Sequence, residues 1–130
     1  MPLIALQHLN IRCADLDRSR DFYAALGLKE GERPPFASRG YWMYLSNDPV
    51  VHLVQKREGE QVHGPGTGEL DHVAFTADDL ETFRSRLKER NIPFREAVVP
   101  RDNSIQLFVK DPDGVQLELN FPPEGAASSL

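Results

Sequence analysis

Cys13 is the sole cysteine, so no intrachain disulfide can form, and a lone thiol suits a reducing compartment. Basic residues are the minority charge: 15 Lys and Arg stand against 20 Asp and Glu, a formal net charge of −5. A nucleic-acid ligand demands a concentrated basic face, so no nucleic-acid partner is expected. Long apolar runs are missing as well, and none approaches the roughly 20 residues that span a bilayer. The opening Met1-Pro2-Leu3-Ile4-Ala5 lacks the charged start and long apolar stretch of a secretory leader. No membrane partner is expected, and the expected location is cytoplasmic. A chain of 130 residues is still long enough to bury a core of its own.

What is present is a repeat. Leu70-Asp71-His72-Val73-Ala74-Phe75-Thr76 reads as a strand followed at once by a helix start at Ala77-Asp78-Asp79-Leu80. Side chains alternate along a strand, so His72, Ala74 and Thr76 share one face, and Val73 and Phe75 share the other. His8-Leu9-Asn10-Ile11-Arg12-Cys13 before Ala14-Asp15-Leu16 has the same parity, 64 residues earlier. Each copy opens on a histidine.

The first strand is expected from about Ile4 to Arg12, and Asp15 is a natural N-cap for a helix that Gly27 closes. Leu28 to Phe36, broken by Pro34-Pro35, reads as an edge strand or a loop. Gly40 to Leu45 and Val50 to Val54 are strands about a Ser46–Pro49 turn. After a glycine- and proline-rich loop, Asp78 with Glu81 forms a capping-box pattern, and Leu80, Phe83 and Leu87 give the second helix an apolar stripe. Asn91 stops that helix. Strands at Pro93–Val99, Ser104–Lys110 and Val115–Phe121 follow, with Asp111-Pro112-Asp113-Gly114 as the last tight turn. The order predicts an α+β fold: two βαβββ repeats, about 4–56 and 69–121, joined by a loop at 57–68. They are expected to form a single domain over 1–122, a curved mixed-sheet cup with helices on its convex side, and a flexible tail over 123–130.

Parity then gathers the chemistry. In four strands the helix-side face is apolar and the other face carries His8, His52, His72 or Glu118. Two histidines and a carboxylate, with a possible third histidine, are a ligand set for a divalent metal that keeps open coordination positions. Trp42 and Tyr44 share parity and are the substrate-lining candidates, although parity alone leaves open whether their face or that of Tyr41 and Met43 is used. Arg12, on the His8 face, is a candidate anion contact, with Arg101 and Lys110 as further rim candidates. Cys13 reads as a small core residue. His63 reads as a solvent-exposed loop residue, and the Arg84–Arg90 cluster as a solvated helix face.

These residues resemble the vicinal-oxygen-chelate superfamily, also called the glyoxalase/bleomycin-resistance/dioxygenase fold. The matching pieces are the His8-Leu9 strand leading into Ala14-Asp15-Leu16 and Asp21-Phe22-Tyr23, then Leu26-Gly27-Leu28. Asp71-His72-Val73-Ala74-Phe75 and Asp111-Pro112-Asp113-Gly114 before Leu117-Glu118-Leu119 complete the match. The resemblance implies metal ligands at His8, His72 and Glu118, with His52 at a variable fourth position. Nickel, zinc, manganese or iron(II) would suit, no organic cofactor is implied, and a homodimer is expected.

Glyoxalase I enzymes of this size resemble a His-Glu-His-Glu pattern, and methylmalonyl-CoA epimerases His-Gln-His-Glu. Here His52 stands at the first Glu or Gln, so proton abstraction falls to Glu118, the catalytic candidate. The leading expectation is a glyoxalase-I-like lyase or isomerase that acts on a small metal-chelating oxygenated substrate through an enediolate-type intermediate. The alternatives are an extradiol-type dioxygenase, a thiol transferase, or a non-catalytic small-molecule binding protein like the bleomycin-resistance members.

Overall fold

In the computed structural model, which describes residues 2–60 and 67–125, the chain divides into two compact units, Met1–Gln61 and Val62–Leu130. Each is a βαβββ unit. The first comprises β1 (Leu9–Cys13), α1 (Leu16–Ala25), β2 (Lys29–Gly31), β3 (Gly40–Leu45) and β4 (Asp48–Gln55). The second comprises β5 (Val73–Thr76), α2 (Leu80–Glu89), β6 (Arg95–Val98), β7 (Ile105–Lys110) and β8 (Gln116–Phe121). The sheets are four-stranded and mixed, ordered β1-β4-β3-β2 and β5-β8-β7-β6. The outer pair is parallel in both, β1 on β4 and β5 on β8, and the other pairs are antiparallel. The α+β class and the duplicated βαβββ plan expected from the sequence are both found.

Local chemistry explains the elements. The Asp15 side chain caps α1 by accepting from the Arg18 amide at 3.1 Å. Gly27, at φ +106°, takes the left-handed turn that ends the helix without a Cβ penalty. The face of α1 carrying Leu16, Ser19, Phe22 and Tyr23 is buried. Tyr23, Leu16, Met43, Val51, Leu53 and Cys13 lose essentially all solvent contact, and the larger apolar ones contribute about 1.5–3 kcal/mol each. On the same side, Tyr41 donates its hydroxyl hydrogen to Asp17 of α1 at 2.7 Å.

In the second unit Leu87, Leu107, Val109, Leu117, Leu119 and Phe121 form the core, and Phe83 of α2 meets the Phe121 ring edge-on at 5.2 Å. The Asp111–Gly114 turn is fully wired. Asp111 accepts from the amides of Asp113 and Val115 at 2.9 and 2.8 Å, and Gly114 sits at φ +89°.

Several expectations shift. β1 begins at Leu9 rather than Ile4. The ladder starts at Leu9↔Val51, and two residues earlier on β4 stands Pro49, which has no N–H to donate. The turn before β4 narrows to Ser46 and Asn47, with Ser46 at φ 52°, and Asp48 and Pro49 join the strand. Asp79, not Asp78, caps α2. It adopts a left-handed φ of 62° and accepts from the Thr82 amide and hydroxyl at 3.4 and 2.6 Å, while Asp78 accepts from the Asp79 amide. Aspartate tolerates that conformation because its short side chain bonds the backbone locally.

Arg84 is not a solvated residue. Its guanidinium is shared by Glu81, by Glu96 of β6 at 2.6 Å and by Glu124 at 2.5 Å. Those contacts raise its pKa well above the ordinary arginine value, first through Glu96 and then through Glu124 and Glu81. Glu124 belongs to the segment expected to fray, so the start of that tail is held, whereas 126–130 lie outside the described residues. So does His63. Among the described residues, no helix is long and apolar enough to cross a membrane.

Candidate functional site

The duplicated frame puts the candidate ligands at matching points. His8 stands one residue before β1 and His72 one residue before β5. Two residues further along each strand, Asn10 pairs with His52 and Ala74 pairs with Glu118. On the next strand, Trp42 is the register partner of His52, and Phe108 is that of Glu118.

In the first unit this geometry makes a stack. The imidazoles of His8 and His52 lie face to face, centroids 3.8 Å apart and planes 11° apart, and Trp42 covers the other side of His52 at 4.1 Å and 12°. Phe36 tilts against Trp42 at 6.3 Å, and Arg33 lies over Phe36 at 5.1 Å. Buried His52 donates Nε2–H to the Pro49 carbonyl at 3.0 Å, since a carbonyl can only accept. That leaves its Nδ1 bare as a ligand atom. Burial, and then the neighbouring His8, lowers the His52 pKa and keeps the ring neutral. Of the two faces that parity left open, that of Trp42 lies with His52, while Met43 is fully buried and Tyr41 reaches α1. Tyr44 donates to the Glu32 carbonyl at 2.6 Å, which ties it to the chain after β2. Arg12 pairs with Glu60 at 3.4 Å, so its charge is already answered within the unit.

The second unit makes a polar line instead. His72 donates Nδ1–H to Asp71 at 2.8 Å, and its Nε2 faces Glu118 Oε1 at 3.5 Å. Asn120 donates to the other oxygen of Glu118 at 2.9 Å, and Gln106 donates to Asn120 at 3.2 Å. The pKa of His72 is raised, first by Asp71, with Glu118 adding to the effect.

The Nδ1–H bond has a chemical consequence. A neutral His72 with its hydrogen on Nδ1 turns the Nε2 lone pair toward a carboxylate oxygen, which is repulsive unless a proton or a cation lies between them. A divalent ion fits there. Bonds of about 2.0–2.2 Å at tetrahedral or octahedral angles hold neighbouring donor atoms roughly 3.0–3.6 Å apart. Asp71 then orients the imidazole and raises its basicity, the usual outer partner of a metal-bound histidine.

The structure thus brings His8 to His52, and His72 to Glu118. Among the described residues, no group of three or more His, Cys, Asp or Glu is disposed to hold a metal ion. Sequence reasoning did not find Asp71 as the orienting group, nor the Gln106–Asn120–Glu118 line. Asn120 shares parity with Glu118 and was visible; Gln106 required the β7–β8 register.

A βαβββ duplication with a histidine at the head of each copy defines a family. The chain belongs to the Glyoxalase/Bleomycin resistance protein/Dioxygenase superfamily, whose family model matches residues 5–119. It is similar to "Glyoxylase I 4" of Arabidopsis thaliana, at 28% identity over 90% of this chain and 70% of that protein. A second relative is "Glyoxalase domain-containing protein RDO1" of Mycosarcoma maydis, 29% identical over 89% of this chain and 67% of that protein. Among solved structures, the glyoxylase/bleomycin resistance protein/dioxygenase domain from Frankia sp. EAN1pec superimposes with a TM-score of 0.76. It covers 95% of this chain and 96% of that one at 23% identity, a likeness of fold.

Proposed function

We propose that the protein is a metal-dependent enzyme of this superfamily, a lyase or isomerase acting on a small substrate with adjacent oxygens. The observation that carries this reading is the His72 Nε2–Glu118 Oε1 approach of 3.5 Å, with Nδ1 already committed to Asp71. Members of the family typically use divalent metals, and His8 and His52 are proposed as the remaining ligand candidates. When bound, the ion supplies Lewis-acid polarisation of a carbonyl.

The protein's own residues do the rest. Glu118, half-buried and steadied by Asn120 on one oxygen, offers the other as the base that takes a proton from the carbon beside a carbonyl. His52, neutral and fixed by Pro49, is a poor proton acceptor in that setting, so the base role falls to Glu118. The neutral ring stack of the first unit supports a second reading, a small-molecule binding protein without catalysis, because exposed His8 and half-buried Trp42, which enclose His52, offer aromatic surface. The same stack could equally accept the planar part of a substrate.

The test is elemental analysis and calorimetric titration with nickel, zinc, manganese and iron(II), on wild type and on Glu118→Gln. Uptake of one ion per site in wild type and its loss in the variant, followed by turnover of 2-oxoaldehyde–thiol adducts or acyl-CoA epimers, is expected. Failure to take up any of the four ions would transfer the assignment to the binding reading. A homodimer in a cytoplasmic setting is part of the proposal, checked by sedimentation and by fractionation of cells.

A further inference from the structure

Two depressions mark the second unit, and they differ in how their arginines are used. One, about 300 Å³, lies on the helix side beside Leu80, Phe121 and Pro123, and its cation Arg84 is already shared by three carboxylates. The other, about 370 Å³, is lined by Phe94, Arg95, Phe108, Lys110 and Gln116. Arg95, Phe108, Lys110 and Gln116 project from the same sheet face as Glu118: Arg95 pairs with Phe108, Phe108 with Glu118, and Lys110 with Gln116.

The second depression holds unspent charge. Arg95 Cζ lies over the Phe108 ring, 4.1 Å from its centroid. A guanidinium held over a ring keeps its charge and the N–H fork that matches a carboxylate or phosphate. Among the described residues, neither Arg95 nor Lys110 has a carboxylate partner. The adjacent Glu96 is turned to Arg84, and Asp111 is taken up by the turn after β7. The first unit offers no counterpart: Gly31 occupies the place of Arg95 in the register, opposite Trp42.

We propose that the Arg95–Phe108–Lys110 surface binds the anionic end of the substrate, an organic carboxylate or phosphate with a flat apolar segment packed beside the Arg95–Phe108 pair. This rests on the metal-dependent reading above. Arg95 lies on β6 and Glu118 on β8, two strand spacings apart, or about 10 Å. Because the Arg95 guanidinium leans over Phe108, the register partner of Glu118, the substrate carries its charged group one to two strand spacings, roughly 5–10 Å, from the oxygens presented to Glu118 and His72. Arg12, the anion contact expected from the sequence, is answered by Glu60 instead.

The test uses metal-free protein and three probes: 3-phenylpropionate, phenylphosphonate and the uncharged 3-phenylpropionamide, followed by amide chemical shifts of residues 94–96, 106–110 and 116–118. Saturable shifts with an anion, and about fivefold or greater weakening in the Arg95→Gln/Lys110→Gln variant, are expected. The tighter of the two anions identifies the carboxylate or phosphate source. Arg95→Lys, which keeps charge but loses the planar fork, should fall between wild type and the double variant. Equal binding of the amide, unchanged affinity in the double variant, or no saturable shift with either anion would overturn the proposal. Zinc titration of the wild type, set beside its response to the anion probes, separates the two ideas. Zinc uptake with no anion response removes this site and leaves the metal reading standing; an anion response without zinc uptake does the reverse.

Discussion

His8 with His52, and His72 with Glu118, occupy matching places in one duplicated frame, yet they settle into opposite electrostatics. In the first unit two imidazoles and an indole stack, a proton is disfavoured on His52, whose Nε2 meets the Pro49 carbonyl, and His8 Nδ1 meets the side-chain oxygen of Gln7. In the second, a histidine faces a carboxylate, a proton or cation between them is favoured, and side chains supply every partner. The frame is set by apolar residues on the buried faces. The exposed-face residues are therefore free to differ, and one change of residue type, His52 against Glu118, turns a ring stack into a charged pair.

The equivalence of the frames can be broken at Leu53 and Leu119, corresponding residues of β4 and β8 that are both buried. Leu53→Ala and Leu119→Ala should each cost about 2–5 kcal/mol in denaturant unfolding. A loss well under 1 kcal/mol at either would show that the two cores are not comparable.

The difference between the pairs is read by metal titration. Glu118→Gln should weaken divalent-ion affinity by more than about a hundredfold, and His52→Ala by about tenfold, measured by calorimetry. Equal losses would make the two units equivalent ligands and remove the contrast. Metal binding should also release protons as His72 gives up its own.

Arg84 sharpens the contrast in packing, since α2 is tied to β6 and to Glu124 by charge, whereas α1 buries more of its surface. Arg84→Met should destabilise the protein by about 1–2 kcal/mol at neutral pH. The Glu96 pKa is lowered, chiefly by its hydrogen bonds with Arg84, so this contribution is present above the ordinary glutamate value and fades as pH falls through the lowered one.

The smallest effects are those of the imidazoles. His72, raised by Asp71 and Glu118, stabilises the fold fully below its ordinary value near 6.5 and loses that contribution as pH climbs through its raised pKa. His52, lowered by burial and His8, contributes stability above about 6.5 that is lost as pH falls through its lowered pKa. Proton NMR titration of the metal-free protein should find His72 titrating above His52; the reverse order would undo the comparison.

Much of this was legible in the sequence because strand parity and helix caps are local. Alternation alone put His8 on the face of His52 and His72 on the face of Glu118, each within its own unit, and Asp15, Gly27 and Asn91 marked helix ends where they are observed. Register and ion pairing were not legible, because both join residues far apart in the chain. Arg84 reads as solvated until β6 brings Glu96 to it, and the side of β3 that Trp42 takes depends on its partner on β4. The start of β1 failed for the same reason, since its ladder begins at Leu9↔Val51, a pairing with another strand.

The parallel pairing of the outer strands also bears on the order of folding. Leu9 meets Val51 and Val73 meets Leu117, each across more than forty residues, whereas β3–β4 and β7–β8 are hairpins closed by short turns. Short loops close at less entropic cost and sooner, so the hairpins carrying Trp42 with His52, and Phe108 with Glu118, form before the first strand of each unit docks. His8 and His72 arrive with those late strands. Each side-chain pair is thus completed in the last step of its own unit's assembly, and a chain caught short of that step would hold an intact hairpin but only one member of the pair.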